Sequence, residues 1–216
     1  MSQKINIVDL GRMDYQSAWD FQKEFHNKVL LGKEADTLFL VEHEPVYTLG
    51  KNANNNNLLK KANSNVKVFN VERGGDITYH GPGQLVGYPI LDLHNYQKNI
   101  SWFMRTLESI LIETLSSFGI HANQKEGLTG VWVGDEKIGA QGVRISRWVT
   151  MHGFSLNVNT DLSYFESIVP CGIVNCEITS MKQLLGNPQD MDLVKKRTVN
   201  AFNKIIVSSE NKMEAV

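Results

Sequence analysis

The chain has only two cysteines, Cys171 and Cys176, and nothing in their number or placement suggests a disulfide framework. It has no excess of one charge: 22 Lys and Arg against 23 Asp and Glu leave a formal net charge of -1. That balance excludes the basic field that holds nucleic acid, and no acidic tail is present. No apolar run approaches the length of a membrane helix, and no charged-then-apolar signal peptide opens the chain. A reducing, cytoplasmic setting is therefore expected, where a free thiol serves as a nucleophile rather than a staple.

What is present is ordinary globular composition, 42% hydrophobic and 21% charged. At 216 residues the chain fits one domain, 1–216, large enough to bury a core without disulfides or metal. There is no internal repeat and no clear linker. The run Asn52-Ala53-Asn54-Asn55-Asn56-Asn57 is too polar to pack and reads as an exposed loop without chemistry.

Periodicity predicts strands at Lys4–Leu10, Thr37–Glu42, Val66–Val71, Gln84–Leu91 and Val149–Val158. Asp14 can cap a helix with Ala18, Trp19, Phe25 and Val29 on its apolar stripe. Ser101 can cap a second helix, with Phe103, Leu107, Ile110, Leu111, Leu115 and Phe118 on one side and Gly119 stopping it. A last helix runs from about Asp192 to Val207, with Val194, Phe202, Ile205 and Ile206 inward. Val131–Val133 and Lys137-Ile138 flank a hairpin turn at Gly134-Asp135-Glu136. The predicted fold is α/β (α+β), a mixed, partly antiparallel sheet packed by helices.

Chemistry concentrates in a few places. Residues 73–84, Arg-Gly-Gly-Asp-Ile-Thr-Tyr-His-Gly-Pro-Gly-Gln, hold four glycines and a proline in twelve positions, which forbids a helix interior. They read as a shaped loop between two strands, and residue chemistry leaves a ligand-binding loop and a tight structural turn evenly matched. The loop is not a P-loop, since no Gly-x-x-x-x-Gly-Lys-Ser/Thr occurs. It is not a dinucleotide fingerprint either, because strand-like Leu85-Val86 follows Gly81-Pro82-Gly83 instead of a helix.

Cys171 stands between Pro170 and Gly172. Most free cysteines are small buried hydrophobes, and these residues alone leave that reading ahead of catalysis. A nucleophilic thiol has a resting pKa of about 8.5 and needs a neighbouring cation or base. Lys137, at the head of Lys137-Ile138-Gly139-Ala140-Gln141-Gly142, can fill that place or be an ordinary surface lysine. His80 and His152 are rival bases. A metal site from Cys171, Cys176 and His152 is weak, because the Cys-x4-Cys spacing has no second pair.

Taken together, Glu42–Gly50, Arg73–Gln84, Lys137–Arg144, His152–Val158 and Pro170-Cys171-Gly172 resemble the octanoyl-acyl-carrier-protein:protein transferases, the LipB family of lipoate biosynthesis. The resemblance runs in order from about Leu38 to Gly186. It implies a fold similar to the biotin and lipoate protein ligase catalytic domain. It also implies a catalytic pair, Cys171 and Lys137, and an acyl-thioester intermediate. The acyl-binding walls it implies are Arg73, Gly74, Gly75, Asp76, Ile77, Thr78, Tyr79 and His80, then Ala140, Gln141 and Gly142, then Gly153, Phe154 and Ser155. Tyr79 and Phe154 are the expected sides of an apolar slot, and the amides of 140–142 a candidate oxyanion site. No cofactor, nucleic acid or membrane is expected. The implied partners are octanoyl-acyl carrier protein and the lipoyl-domain acceptors, 2-oxoacid dehydrogenase E2 subunits and the glycine cleavage H protein. An ATP-dependent lipoate or biotin ligase, a non-catalytic acyl-binding module and a thioesterase are the rival readings.

Overall fold

A computed structural model describes residues 5–59, 65–170 and 176–210. Its elements are β1 (Asn6–Met13), α1 (Tyr15–Leu30), β2 (Thr37–His43), β3 (Val46–Leu49), β4 (Lys67–Asn70), β5 (Ile77–His80) and β6 (Gln84–Ile90). There follow α2 (Ile100–Ser116), β7 (Asn123–Lys125), β8 (Leu128–Val133), β9 (Glu136–Ser146), β10 (Val149–Asn157), α3 (Met181–Leu185) and α4 (Met191–Glu210). Seven strands make one sheet in the order β1-β2-β6-β10-β9-β8-β7, and β4-β3-β5 make a smaller one. The β1–β2 and β3–β4 pairs are parallel and the other strand pairs antiparallel. The mixed sheet packed by helices is the architecture predicted from the sequence.

The large sheet is covered on both faces. Under α2 and α4 lies the larger core, with Phe103, Leu107, Ile110 and Leu111 packed on Leu85, Val131, Phe154 and Leu156. Under α1 lies a second cluster around Ala18, Phe39, Val86 and Tyr88. Central β6 and β10 are buried along their whole length, β10 with polar Thr150, His152, Ser155 and Asn157 among its buried residues. The polar side chains facing the α2 core satisfy themselves: Thr106 and Thr114 donate to the carbonyls of Trp102 (2.8 Å) and Ile110 (2.7 Å) one turn back.

Asp14 caps α1 as predicted, accepting from Ser17 N at 3.1 Å. The buried stripe of α1, however, is Tyr15, Ala18, Gln22, His26 and Val29. Trp19 and Phe25 flank it, half-buried, because polar Gln22 and His26 are needed underneath: the His26 ring bonds Val149 O at 3.3 Å, and Gln22 holds β10 as described below. Asn99, not Ser101, caps α2, accepting from Trp102 N at 2.9 Å from an extended backbone. Gly119 does end that region, left-handed at φ 77, with Ile120 N returning to Leu115 O. Three strands, β3, β5 and β7, were hidden from periodicity. β3 lies within Glu42–Gly50, and β5 within the stretch read as loop, where glycines on both sides mask the strand-forming Ile77-Thr78-Tyr79-His80. The asparagine run is not idle either: Asn55–Asn57 form a 3-10 turn, and Asn57 Nδ2 donates to Asp76 at 2.6 Å.

Candidate active site

The site lies between β9–β10 of the large sheet and β5 of the small one. On β9 and β10, Phe154 and Leu156 belong to the core under α2, with Val143 packed against it. The alternate positions are small: Ala140 pairs with Ser155 and Gly142 with Gly153. Because the side-chain period of a strand is two, removing bulk on that face hollows it without touching the core behind. The result is a cavity of about 250 Å³, at the small end of small-molecule sites, lined by Ile77, Val86, Ala140, Gly142, Phe154 and Leu128 among others. Glycine at 142 is required, since a Cβ there would stand 2.9 Å from Gly74 O and 3.0 Å from Arg73 Cδ.

At one end is Lys137, only 4% exposed. Its Nζ donates to Thr129 O at 2.8 Å and lies 5.4 Å from the centre of the Trp132 ring. The stem crosses Gly130, whose φ of 138 and lack of Cβ make the crossing possible; a Cβ there would meet Lys137 Cε at 2.4 Å. Gly130 N is in turn held by the buried Glu108 of α2 at 3.0 Å. A small void beside the main cavity is lined by Lys137, Thr78, Ala140 and Ser155, and also by Pro170 and Ile178. The Lys137 backbone bonds Glu177 O (2.8 Å) and Thr179 N (3.0 Å). The chain on both sides of 171–175 is thus brought to Lys137.

The other end is aromatic and polar. Tyr15 stacks on His80 at 6.1 Å, and Tyr88 meets His43 and His152. Hydrogen bonds fix the tautomers. The Nδ1–H of His43 donates to Met13 O (2.9 Å), so its Nε2 accepts the Tyr88 hydroxyl (2.7 Å). Gln84 donates to Tyr79 O and Asn157 Oδ1, which leaves its Oε1 to accept from His80 Nδ1–H at 2.7 Å. Burial pushes all three histidines down, His43 to about 4 and His80 and His152 to about 3, with the Arg73 charge adding to the effect on His80 and His152. They are neutral at physiological pH. Arg73 itself is buried, its Nη2 donating to Thr48 O (2.6 Å) and Thr48 Oγ1 (2.9 Å).

The catalytic domain of lipoyl protein ligase A/B, as a family model, matches residues 14–203. An octanoyltransferase of Solibacter usitatus is 48% identical over 203 residues, 92% of this chain and 91% of its own. One of Gloeobacter violaceus is 47% identical over 179 residues, 82% of this chain and 80% of its own. The chain belongs to the octanoyltransferases of the lipoyl protein ligase A/B family. Solved structures agree in fold. A bipartite lipoate protein ligase from Thermoplasma acidophilum superposes with a TM-score of 0.69 at 13% identity, over 94% of this chain and 84% of that one. The biotin protein ligase of Aquifex aeolicus gives 0.57 at 13% identity, over 98% and 73%.

Of the site residues named from the sequence, this octanoyltransferase-family chain gathers Lys137, Arg73, Gly75, Asp76, Ile77, Thr78, His80, Ala140, Gln141, Gly142, Gly153, Phe154 and Ser155 around one cavity. Gly74 and Tyr79 do not line it. Tyr79 points the other way, stacked on Tyr164 at 4.6 Å, because adjacent residues of β5 face opposite sides. Lys137 is buried rather than on a surface turn. Residues 140–142 are strand, register-paired with β10, and such a ladder engages alternate amides of β9. Cys171 lies outside the described residues. Tyr15, Val86, Tyr88 and Gly127–Thr129 also line the cavity and were missed; the first three carry the sequence signal of core helix and strand, and the last three that of an ordinary turn. Among the described residues, no group of His, Cys, Asp or Glu is placed to hold a metal.

Proposed function

We propose that this chain, acting as one catalytic domain in the cytoplasm, moves an octanoyl group from acyl carrier protein, through a thioester on Cys171, to a lysine of a lipoyl domain. The reading rests on family membership and on one observation: Lys137 is buried at the mouth of an apolar cavity and shares a void with Pro170, the residue before Cys171.

The chemistry balances without ATP. The Cys171 thiolate attacks the carrier thioester, one C–S bond forms as another breaks, and the carrier leaves as a thiol. The acceptor amine then attacks the acyl-cysteine, giving an amide and restoring the thiol, which is downhill. Lys137 either favours the thiolate as an ammonium or takes the thiol proton as an amine. The octanoyl tail occupies the cavity. The acceptors fitting this chemistry are E2 subunits of 2-oxoacid dehydrogenases and the glycine cleavage H protein.

The test is intact-mass measurement after mixing with octanoyl-acyl carrier protein, without ATP. An octanoyl adduct is expected on the wild type and on no Cys171→Ser or Cys171→Ala chain. An adduct persisting in Cys171→Ala would overturn the nucleophile, and dependence on ATP with free octanoate would favour the ligase reading. Free octanoate released without an acceptor would favour a thioesterase.

A further inference from the structure

The cavity wall outside the Lys137 void includes a residue that the chemistry above leaves unused. His152 is 2% exposed and has a φ of 61 in the middle of β10, a left-handed backbone in an otherwise extended strand. Such a conformation is unfavourable for a residue with a Cβ and persists only where the surroundings enforce it. Here Gln22 of α1 accepts from His152 N at 3.0 Å, holding the kink from outside the sheet. The turned backbone places the imidazole edge-on to Tyr88, with ring centroids 6.5 Å apart, among residues lining the cavity. Its Nε2 is buried and has no hydrogen-bond partner among the described residues.

The three strands that flank the cavity give its direction. Thr78, Ala140 and Ser155 line both the Lys137 void and the cavity; His80, Gly142, Gly153 and His152 line the cavity alone. From Ser155 to His152 is three residues of strand, roughly 10 Å, comparable with an extended eight-carbon chain. We propose that the His152 imidazole closes the far end of the acyl slot and sets the chain length it accepts. The inference rests on the acyl-transfer reading of the same cavity. A longer tail must push against a ring whose backbone is pinned by Gln22 and which packs edge-to-face with Tyr88, in a place where its unpartnered nitrogen gains nothing from a methyl group. A neutral ring serves as a stop, and burial and Arg73 hold it neutral.

The experiment measures kcat/KM with hexanoyl-, octanoyl-, decanoyl- and dodecanoyl-acyl carrier protein. His152→Gly removes the ring and suits a positive φ. It is expected to raise the decanoyl-to-octanoyl ratio about ten-fold or more. His152→Asn tolerates the same backbone and shortens the side chain, so a smaller shift in the same direction is expected. A merely structural role would lower every chain length alike and leave the ratio fixed. An unchanged ratio in variants that melt like the wild type overturns the proposal. So does a wild type that takes decanoyl as readily as octanoyl, a result that needs no variant to fold. A wild type that forms no acyl adduct at all sinks the transferase reading first, and this inference with it.

Discussion

Three strands, β5, β9 and β10, run along the cavity, and yet its two ends differ in almost every physical respect. At the Lys137 end a long lysine side chain is threaded across a glycine, its amine tied to a backbone carbonyl and its neighbourhood completed by a chain segment arriving from 170 and 176–179. At the histidine end the polar groups are rings with assigned tautomers, held neutral by burial and packed edge and face against tyrosines. The histidine rings hold no charge near neutral pH, and their packing fixes shape. Polar residues in one pocket thus differ according to the partners that hold them.

The largest break in this contrast is expected at Lys137. Lys137→Met keeps most of the buried stem but removes the amine, and acylation should fall roughly 100-fold or more, with a thermal midpoint close to wild type. An unchanged pH–rate profile would count against the assigned role. Gly130→Ala should come next. Its methyl would meet the lysine stem at 2.4 Å, so the amine must move. A displacement of that size costs on the order of 10- to 100-fold in rate, together with about 1–3 kcal/mol of stability from the forced positive φ.

The histidine end should also show itself in the pH dependence of stability. His43, His80 and His152 titrate near 6.5 when unfolded and at about 3–4 when folded. The unfolded chain therefore binds more protons between those values. Stability is fully present above about pH 6.5 and is lost as pH falls toward 4, by roughly 1 kcal/mol per pH unit for each group. Urea midpoints across pH 7 to 5 would show this, and a flat profile would contradict the neutral, buried assignment. The smallest effect is expected from Tyr88→Phe, which leaves His43 Nε2 without its donor and costs about 1–2 kcal/mol; a denaturant midpoint unchanged from wild type would show that the bond contributes nothing.

How much of this was legible beforehand depends on the range of the forces involved. The helix stripe from Phe103 to Leu115, the Asp14 cap, the hairpin at Gly134 and the mixed sheet follow from local period and local capping, and they are found. The order of motifs along the chain pointed to the family before any coordinate. What local pattern did not reveal was β3 and β5, whose pairing to each other is non-local and whose sequences are cut short by glycine. Nor did it reveal Gln22 and His26 on a buried helix face, polar because of what β10 needs and not because of anything near them in the chain.

The amino-acid order by itself determined which residue types are present for the chemistry, where the chain must turn, and which faces seek a core. Only the tertiary structure decided that Lys137 is buried, that Tyr79 turns away while Thr78 and His80 turn inward, and that His152 lines the cavity. The reason is that burial, strand pairing and a kink held by a helix on another layer are relations between distant segments. A one-dimensional pattern carries the parts of such relations but not their meeting.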